Sequence, residues 1–248
     1  MGIMQIGSLC RKQVSSQSDY DLVIIFDEAA KSWYVGVTFI ENRLTDLIFV
    51  KSSEIERVLA LDTPVAQNDE LAPIIRWVRD GEIIYARSKS LQHTQEKTRT
   101  QALIEPIDDE AAYSAWFRIN YNLAHLRRML TSNDSVYKQA VNIRIAVYGH
   151  SDIWFGYFMI RRIEFLGDKA AIRYLCEHDP EFLSSYQQFI NGKSSVDEKF
   201  AAYERVASMA TAPMGTLWPE ISTVMNLENT LEIWQRLLGS DQSGKNAH

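Results

Sequence analysis

The sequence has few cysteines, glycines and prolines, and it has no long apolar run. Its 248 residues include only 2 Cys, 11 Gly and 6 Pro. These counts exclude a disulfide framework and a fibrous or linker-rich chain. Apolar stretches such as Leu22–Phe26 fall far short of the ~18 residues that cross a membrane, and no secretion signal precedes them. We therefore expect a reduced, cytoplasmic protein with no membrane partner.

Positive charge is also scarce. The chain has 26 Lys and Arg against 32 Asp and Glu, giving a net charge of −6. A protein with a negative net charge is not expected to bind the phosphate backbone of a nucleic-acid duplex. Hydrophobic residues make up 46% of the chain and aromatic residues 11%, which is enough to bury a core and argues against disorder.

The first hundred residues carry strand and helix signals in alternation. Predicted strands cover Met4–Ile6 and residues 20–27, and a predicted hairpin joins Trp33–Ile40 to Thr45–Val50 across residues 41–43. A last strand is predicted at Glu82–Ala86.

Two helices are predicted between the hairpin and that last strand. Ser53 and Glu56 form a capping-box pattern that opens the first helix. The second has apolar residues at the i, i+3, i+4, i+7 spacing and ends at Asp80-Gly81; these residues are Leu71, Ile74, Ile75 and Val78. Residues 88–106 are polar and aperiodic, so we place a domain boundary there.

Helical periodicity dominates the rest of the chain. We predict helices along Trp116–Leu130, Val136–Phe165 and Lys169–His178, from Asp179-Pro180, from Ser195 to about Thr211, and along Leu227–Leu238. The predicted fold class is α+β, with a mixed-sheet domain over 1–105, an all-α helical bundle over 106–240 and a flexible tail over 241–248. The bundle is predicted to bind an acceptor or a partner.

One segment combines two features that suit phosphate chemistry. Gly7-Ser8 follows a strand and precedes a predicted helix, so its backbone N–H groups would face a phosphate at the positive end of a helix dipole. Asp19 and Asp21 are two residues apart at the start of a strand, so both carboxylates lie on one face. Mg²⁺ is commonly held by one or two carboxylates together with substrate phosphates.

A third acid would complete such a site. Asp46 stands among apolar residues at the start of a predicted strand, where a carboxylate is costly to bury without a cation or a donor. Asp27 and Glu41 compete with it for this role. Three converging acids could hold two metal ions ~3.5–4 Å apart.

These residues also resemble a known family. The run from Gly7-Ser8 through Arg11 to Ser18-Asp19-Tyr20-Asp21-Leu22, with Asp46 on a later strand, is similar to the pattern of the nucleotidyltransferase superfamily that includes DNA polymerase beta. The helical half resembles, in architecture alone, the bundles of minimal and antibiotic nucleotidyltransferases. Lys12 stands where the family pattern has a second glycine, and the helix that usually precedes the first strand is missing.

The resemblance implies a function and a set of roles. It implies transfer of a nucleoside monophosphate from an NTP to the hydroxyl of an unidentified acceptor, a small molecule or a protein, with release of pyrophosphate. Asp19 and Asp21 would bind Mg²⁺, most simply as two ions. Asp46 would be the third ligand or the general base. Gly7, Ser8, Arg11 and Lys12 would face the nucleotide phosphates, although Arg11 is equally well explained as a surface charge. The sequence leaves open whether the chain forms a homodimer.

Two other interpretations remain. The first is a non-catalytic module of the same fold that binds a protein, as an antitoxin does; Lys12 and the missing helix favour it, and the retained acids disfavour it. The second is an enzyme that modifies aminoglycosides, for which an acidic acceptor pocket would draw on Glu164, Asp168, Glu177 and Asp179. Arg144 and His150 have the spacing of helical ribonuclease toxins, but such a pair is ordinary on a long helix.

Overall fold

The computed structural model describes residues 1–7, 19–27, 34–192 and 195–215. The chain divides into two compact units, Met1–Pro106 and Ile107–His248, and each has its own hydrophobic core. In the described residues, a mixed sheet with helices is followed by helices alone, so the predicted α+β fold class is confirmed. No helix in the described ranges is long and apolar enough to cross a membrane.

Five strands form the sheet of the first unit, in the order β3-β4-β2-β1-β5. β2 and β4 are parallel, and the other neighbouring pairs are antiparallel. The predicted hairpin is confirmed, but its turn has two residues, Glu41 and Asn42, which both have positive φ (51° and 64°), as a type I′ turn requires. The strands are β1 Gly2–Ile6, β2 Tyr20–Phe26, β3 Val35–Ile40, β4 Arg43–Lys51 and β5 Glu82–Ala86.

The described residues of the first unit also form three helices: α1 Ser52–Ala60, α2 Ala72–Asp80 and α3 Ser90–Thr100. The apolar stripe predicted for α2 is confirmed, since all four of its residues are buried. The N-cap of α1 is Lys51, two residues before the predicted Ser53. Glu54, not Glu56, accepts a hydrogen bond from the backbone N–H that precedes the helix, that of Lys51, at 2.8 Å.

The absence of helical periodicity in residues 88–106 was misleading, because this segment contains α3. Its buried residues are Leu91, Thr94 and Thr98, which have helical spacing but include only one apolar side chain. Both threonine hydroxyls donate to backbone carbonyls of the same helix, at 2.9 Å each. Lys97 Nζ donates to the carbonyl of Leu59 at 2.7 Å and thereby caps the C-terminal end of α1.

The described part of the second unit is helical. Residues 135–160 form a nearly unbroken rod that ends before the predicted Phe165 and changes to π-helical geometry at Gly149. The elements are α4 Asp109–Leu130, α5 Ser135–Tyr148, a π-helical segment Gly149–Trp154, α6 Phe155–Ile160, α7 Asp168–His178, α8 Pro180–Asn191, α9 Val196–Thr211 and a 3₁₀ turn Ala212–Met214. The helix predicted over Leu227–Leu238 and the tail lie outside the described residues.

α8 and α9 begin where predicted, and each has a capping side chain at its N-terminal end. Asp179 accepts a hydrogen bond from the backbone N–H of Phe182 at 3.0 Å. Ser195 and Glu198 exchange the two bonds of a capping box. Three aromatic residues, Trp154, Tyr157 and Phe158, are buried in the core of the second unit.

Candidate metal site at the sheet

Two of the predicted acids lie where β2 begins. Asp19 immediately precedes β2, and Asp21 is its second residue. The period of two places them on the sheet face that carries Val23 and Ile25, which are buried in the core of the first unit. The two carboxylates therefore lie on the core-facing side of the sheet at the N-terminal end of β2, and both side chains are half-buried.

The third acid lies on the neighbouring parallel strand. Asp46 of β4 is the register partner of Asp21, and it shares its face with the buried Val50. One carboxylate oxygen from each of Asp19, Asp21 and Asp46 lies within 4.8 Å of the other two. The structure thus brings together the three acids that the sequence singled out as metal ligands.

Gly7 packs directly against this cluster. It follows β1, whose last residue Ile6 is the register partner of Asp21, and its φ of +76° lies in the left-handed region. A Cβ at this position would overlap Asp21 Oδ2 and lie 3.1 Å from Asp21 Cγ. The backbone therefore approaches the carboxylate as only glycine permits.

The two competing acids lie elsewhere. Asp27 follows the opposite end of β2, about 20 Å along the strand from Asp21 at the usual rise per residue. It lies 3.8 Å from the amino group of Met1. Glu41 occupies the hairpin turn. Neither belongs to the carboxylate cluster.

The phosphate-binding half of the predicted site is outside the described residues. Ser8, Arg11 and Lys12 fall in the range 8–18, so their contacts with a nucleotide stay predictions. Gly7 is the one predicted phosphate-facing residue that the structure describes.

Sequence reasoning missed an apolar neighbour of the cluster. Val37 of β3 is the register partner of Asp46 and is 63% exposed. Alternation predicted the strand, but the partner of Asp46 depends on the length of the turn, which has two residues and not the three (41–43) that were predicted. Val37 gives the acid cluster an apolar border on the side of β3.

The donor set suits a hard divalent cation. Three carboxylates present oxygen atoms and no sulfur or nitrogen, which is the ligand chemistry of Mg²⁺. Within the described ranges, this is the one cluster of three or more acidic, histidine or cysteine side chains close enough to share an ion. Carboxylates this close repel one another, and a cation between them would relieve that repulsion.

Two of the acids considered for an acceptor pocket have structural partners in the second unit. Asp168 accepts a hydrogen bond from Trp154 Nε1 at 2.9 Å. Asp179 accepts one from the Tyr157 hydroxyl at 2.8 Å in addition to capping α8. Both carboxylates therefore hold the aromatic core in place.

The fold and the cluster define an α+β protein with a three-carboxylate site suited to a divalent cation. No protein-family model matches the chain, and no curated protein matches it. Among solved structures, a nucleotidyltransferase-like protein from Exiguobacterium sibiricum 255-15 aligns over 96% of this chain and 82% of its own, at 14% identity and a TM-score of 0.42. A likeness at this TM-score establishes neither a shared fold nor a shared function.

Proposed function

We propose that the chain is a Mg²⁺-dependent nucleotidyltransferase that transfers a nucleoside monophosphate from an NTP to an acceptor hydroxyl and releases pyrophosphate. The observation that carries the proposal is the convergence of Asp19, Asp21 and Asp46 within 4.8 Å, beside a left-handed glycine that ends the neighbouring strand. The spacing of these residues along the chain supports the same reaction.

Each acid has a role in this proposal. Asp19 and Asp21 hold the cation, which neutralises charge on the triphosphate when bound. Asp46 either completes the ligand set or accepts the proton of the acceptor hydroxyl. The acceptor oxygen forms a bond to the α-phosphorus, the bond from that phosphorus to the bridging oxygen breaks, and pyrophosphate leaves with that oxygen. The strands supply the positioning on which such a reaction mainly depends.

Replacing Asp21 by Asn tests the proposal. The substitution keeps the size of the side chain and removes one of the charges that hold the cation. We expect transfer to fall by about a hundredfold or more, the usual cost of losing a major electrostatic contact in an active site. Transfer is measured with α-labelled NTPs and Mg²⁺, as stable label on an acceptor and as release of pyrophosphate.

Asp27→Asn is the matched control, because Asp27 lies at the other end of the same strand. Its activity should equal that of the unmodified chain. Full activity in Asp21→Asn would contradict the metal-ligand role. No turnover in the unmodified chain, with no Mg²⁺-dependent or NTP-dependent rise in its melting temperature, would favour the non-catalytic module instead.

A further inference from the structure

The helical unit contains a concave site of its own. It is a cavity of about 270 Å³ between α5, α8 and α9, just below the range usual for drug-sized ligands. Its apolar lining includes Ile145, Ala146 and Phe189, and its polar lining includes His150 and Lys199. A cavity of this size and lining suits a small molecule with an apolar body.

Lys199 gives the cavity a positive charge. Its side chain is half-buried, and Nζ lies 3.4 Å from Oδ1 of Asn142, which also lines the cavity. No carboxylate of the described residues forms an ion pair with it. The nearest acid in sequence, Glu198, faces the start of α9 instead, where it accepts hydrogen bonds from Ser195. A half-buried ammonium that meets only a neutral amide favours an anion.

The backbone at the cavity departs from regular helical geometry. The π-helical segment begins at Gly149, and its second residue, His150, lines the cavity. The Tyr186 hydroxyl donates to the Gly149 carbonyl at 3.0 Å and holds this part of the backbone in place. Single π-helical turns within α-helices frequently occur at functional sites.

We infer that this cavity binds a small carboxylate with an apolar body, whose carboxylate meets Lys199 while the body packs on Ile145 and Phe189. His150 also lines the cavity, and an imidazole N–H can donate a second hydrogen bond to such a carboxylate. The inference is independent of the acid cluster and of nucleotide transfer.

The test compares 2-naphthoate with the neutral 2-naphthamide on the full chain by isothermal titration calorimetry. The two probes share one apolar body and differ in charge. We expect 2-naphthoate to bind more tightly, and Lys199→Gln to weaken it about tenfold, as expected for loss of one charge-assisted hydrogen bond. Binding of the amide should be unchanged. Lys138→Gln, on an exposed part of α5, is the matched control and should leave both affinities alone.

A second variant locates the site independently of charge. Ala146 is exposed on α5 and lines the cavity, so Ala146→Trp should fill the space and abolish binding of both probes while the fold is kept, as checked by circular dichroism. Equal affinity for both probes, an unchanged affinity in Lys199→Gln, or binding that survives in Ala146→Trp would each overturn the inference. So would a failure of the unmodified chain to bind 2-naphthoate up to its solubility limit.

Discussion

At the scale of single residues, Gly7 meets two separate constraints. Its φ of +76° is strained for any residue with a Cβ, at a cost of about 1–2 kcal/mol. Space is the second constraint, because a Cβ would meet the carboxylate of Asp21. The first constraint concerns the stability of the fold, whereas the second concerns the geometry of the candidate metal site.

Gly7→Ala should therefore weaken metal binding as well as stability. The added methyl group must displace the Asp21 carboxylate, so the cluster loses the arrangement in which its three oxygens meet. We expect a loss of about 1–2 kcal/mol in the free energy of unfolding from backbone strain and a several-fold weaker affinity for Mn²⁺. Urea unfolding measures the stability, and electron paramagnetic resonance of free Mn²⁺ measures the affinity.

Gly167→Ala separates the two effects. Gly167 also has a positive φ, +91°, but a Cβ there would meet nothing within 4 Å. This variant should lose a similar amount of stability and keep its full affinity for Mn²⁺. If both variants bound Mn²⁺ like the unmodified chain, Gly7 would have no part in shaping the site.

At the scale of elements, the sequence predicted those parts whose buried faces are apolar. α2 and its N-cap Leu71 carry four apolar residues at helical spacing, and the apolar run of β2 directly follows the two acids, so both elements were predictable. α3 was not, because Thr94 and Thr98 supply most of its buried face and look polar until their hydroxyls are seen to bond within the helix. The pairing of Asp46 with Asp21 could be predicted only on the condition that their two strands are neighbours, because strand order is set by packing across the sheet and not by local pattern.

The rod along residues 135–160 gives a test at the same scale. The two glycines of this rod contact different neighbours: a Cβ at Gly149 would lie 2.5 Å from the Phe189 ring, and one at Gly156 would lie 2.8 Å from Ile119 Cδ1. A buried ring is hard to move, whereas the end of an isoleucine side chain can rotate away.

We therefore expect Gly149→Ala to lower the free energy of unfolding by about 1–3 kcal/mol, the usual cost of overpacking. Gly156→Ala should be close to neutral, since the gain of about 1 kcal/mol in helix propensity offsets a small rearrangement. Denaturant unfolding of both variants measures the difference. Gly149→Ala should cost less free energy of unfolding when Phe189 is already replaced by Leu than it does in the unmodified chain. If the cost were the same in both backgrounds, this double-mutant cycle would refute the contact.

At the scale of the whole molecule, the chain has two hydrophobic cores and one described cluster suited to a divalent cation. Met4 is fully buried in the core of the first unit and Leu175 in that of the second. Replacing either by Ala should cost about 2–5 kcal/mol. Because the carboxylate cluster belongs to the first unit, cation binding should stabilise that unit directly.

Calorimetry of the full chain can assign this effect to a unit. We expect two unfolding transitions, with Met4→Ala lowering the midpoint of one and Leu175→Ala that of the other. Mg²⁺ at about 100 times its Kd adds about 2.7 kcal/mol to whichever state binds it, so it should raise the transition that Met4→Ala lowers. EDTA should reverse the rise, and Asp21→Asn should remove it. The contrary result is that Mg²⁺ raises the midpoint of only the transition that Leu175→Ala lowers. That result would place the cation in the helical unit and would contradict the assignment of the three aspartates as its ligands.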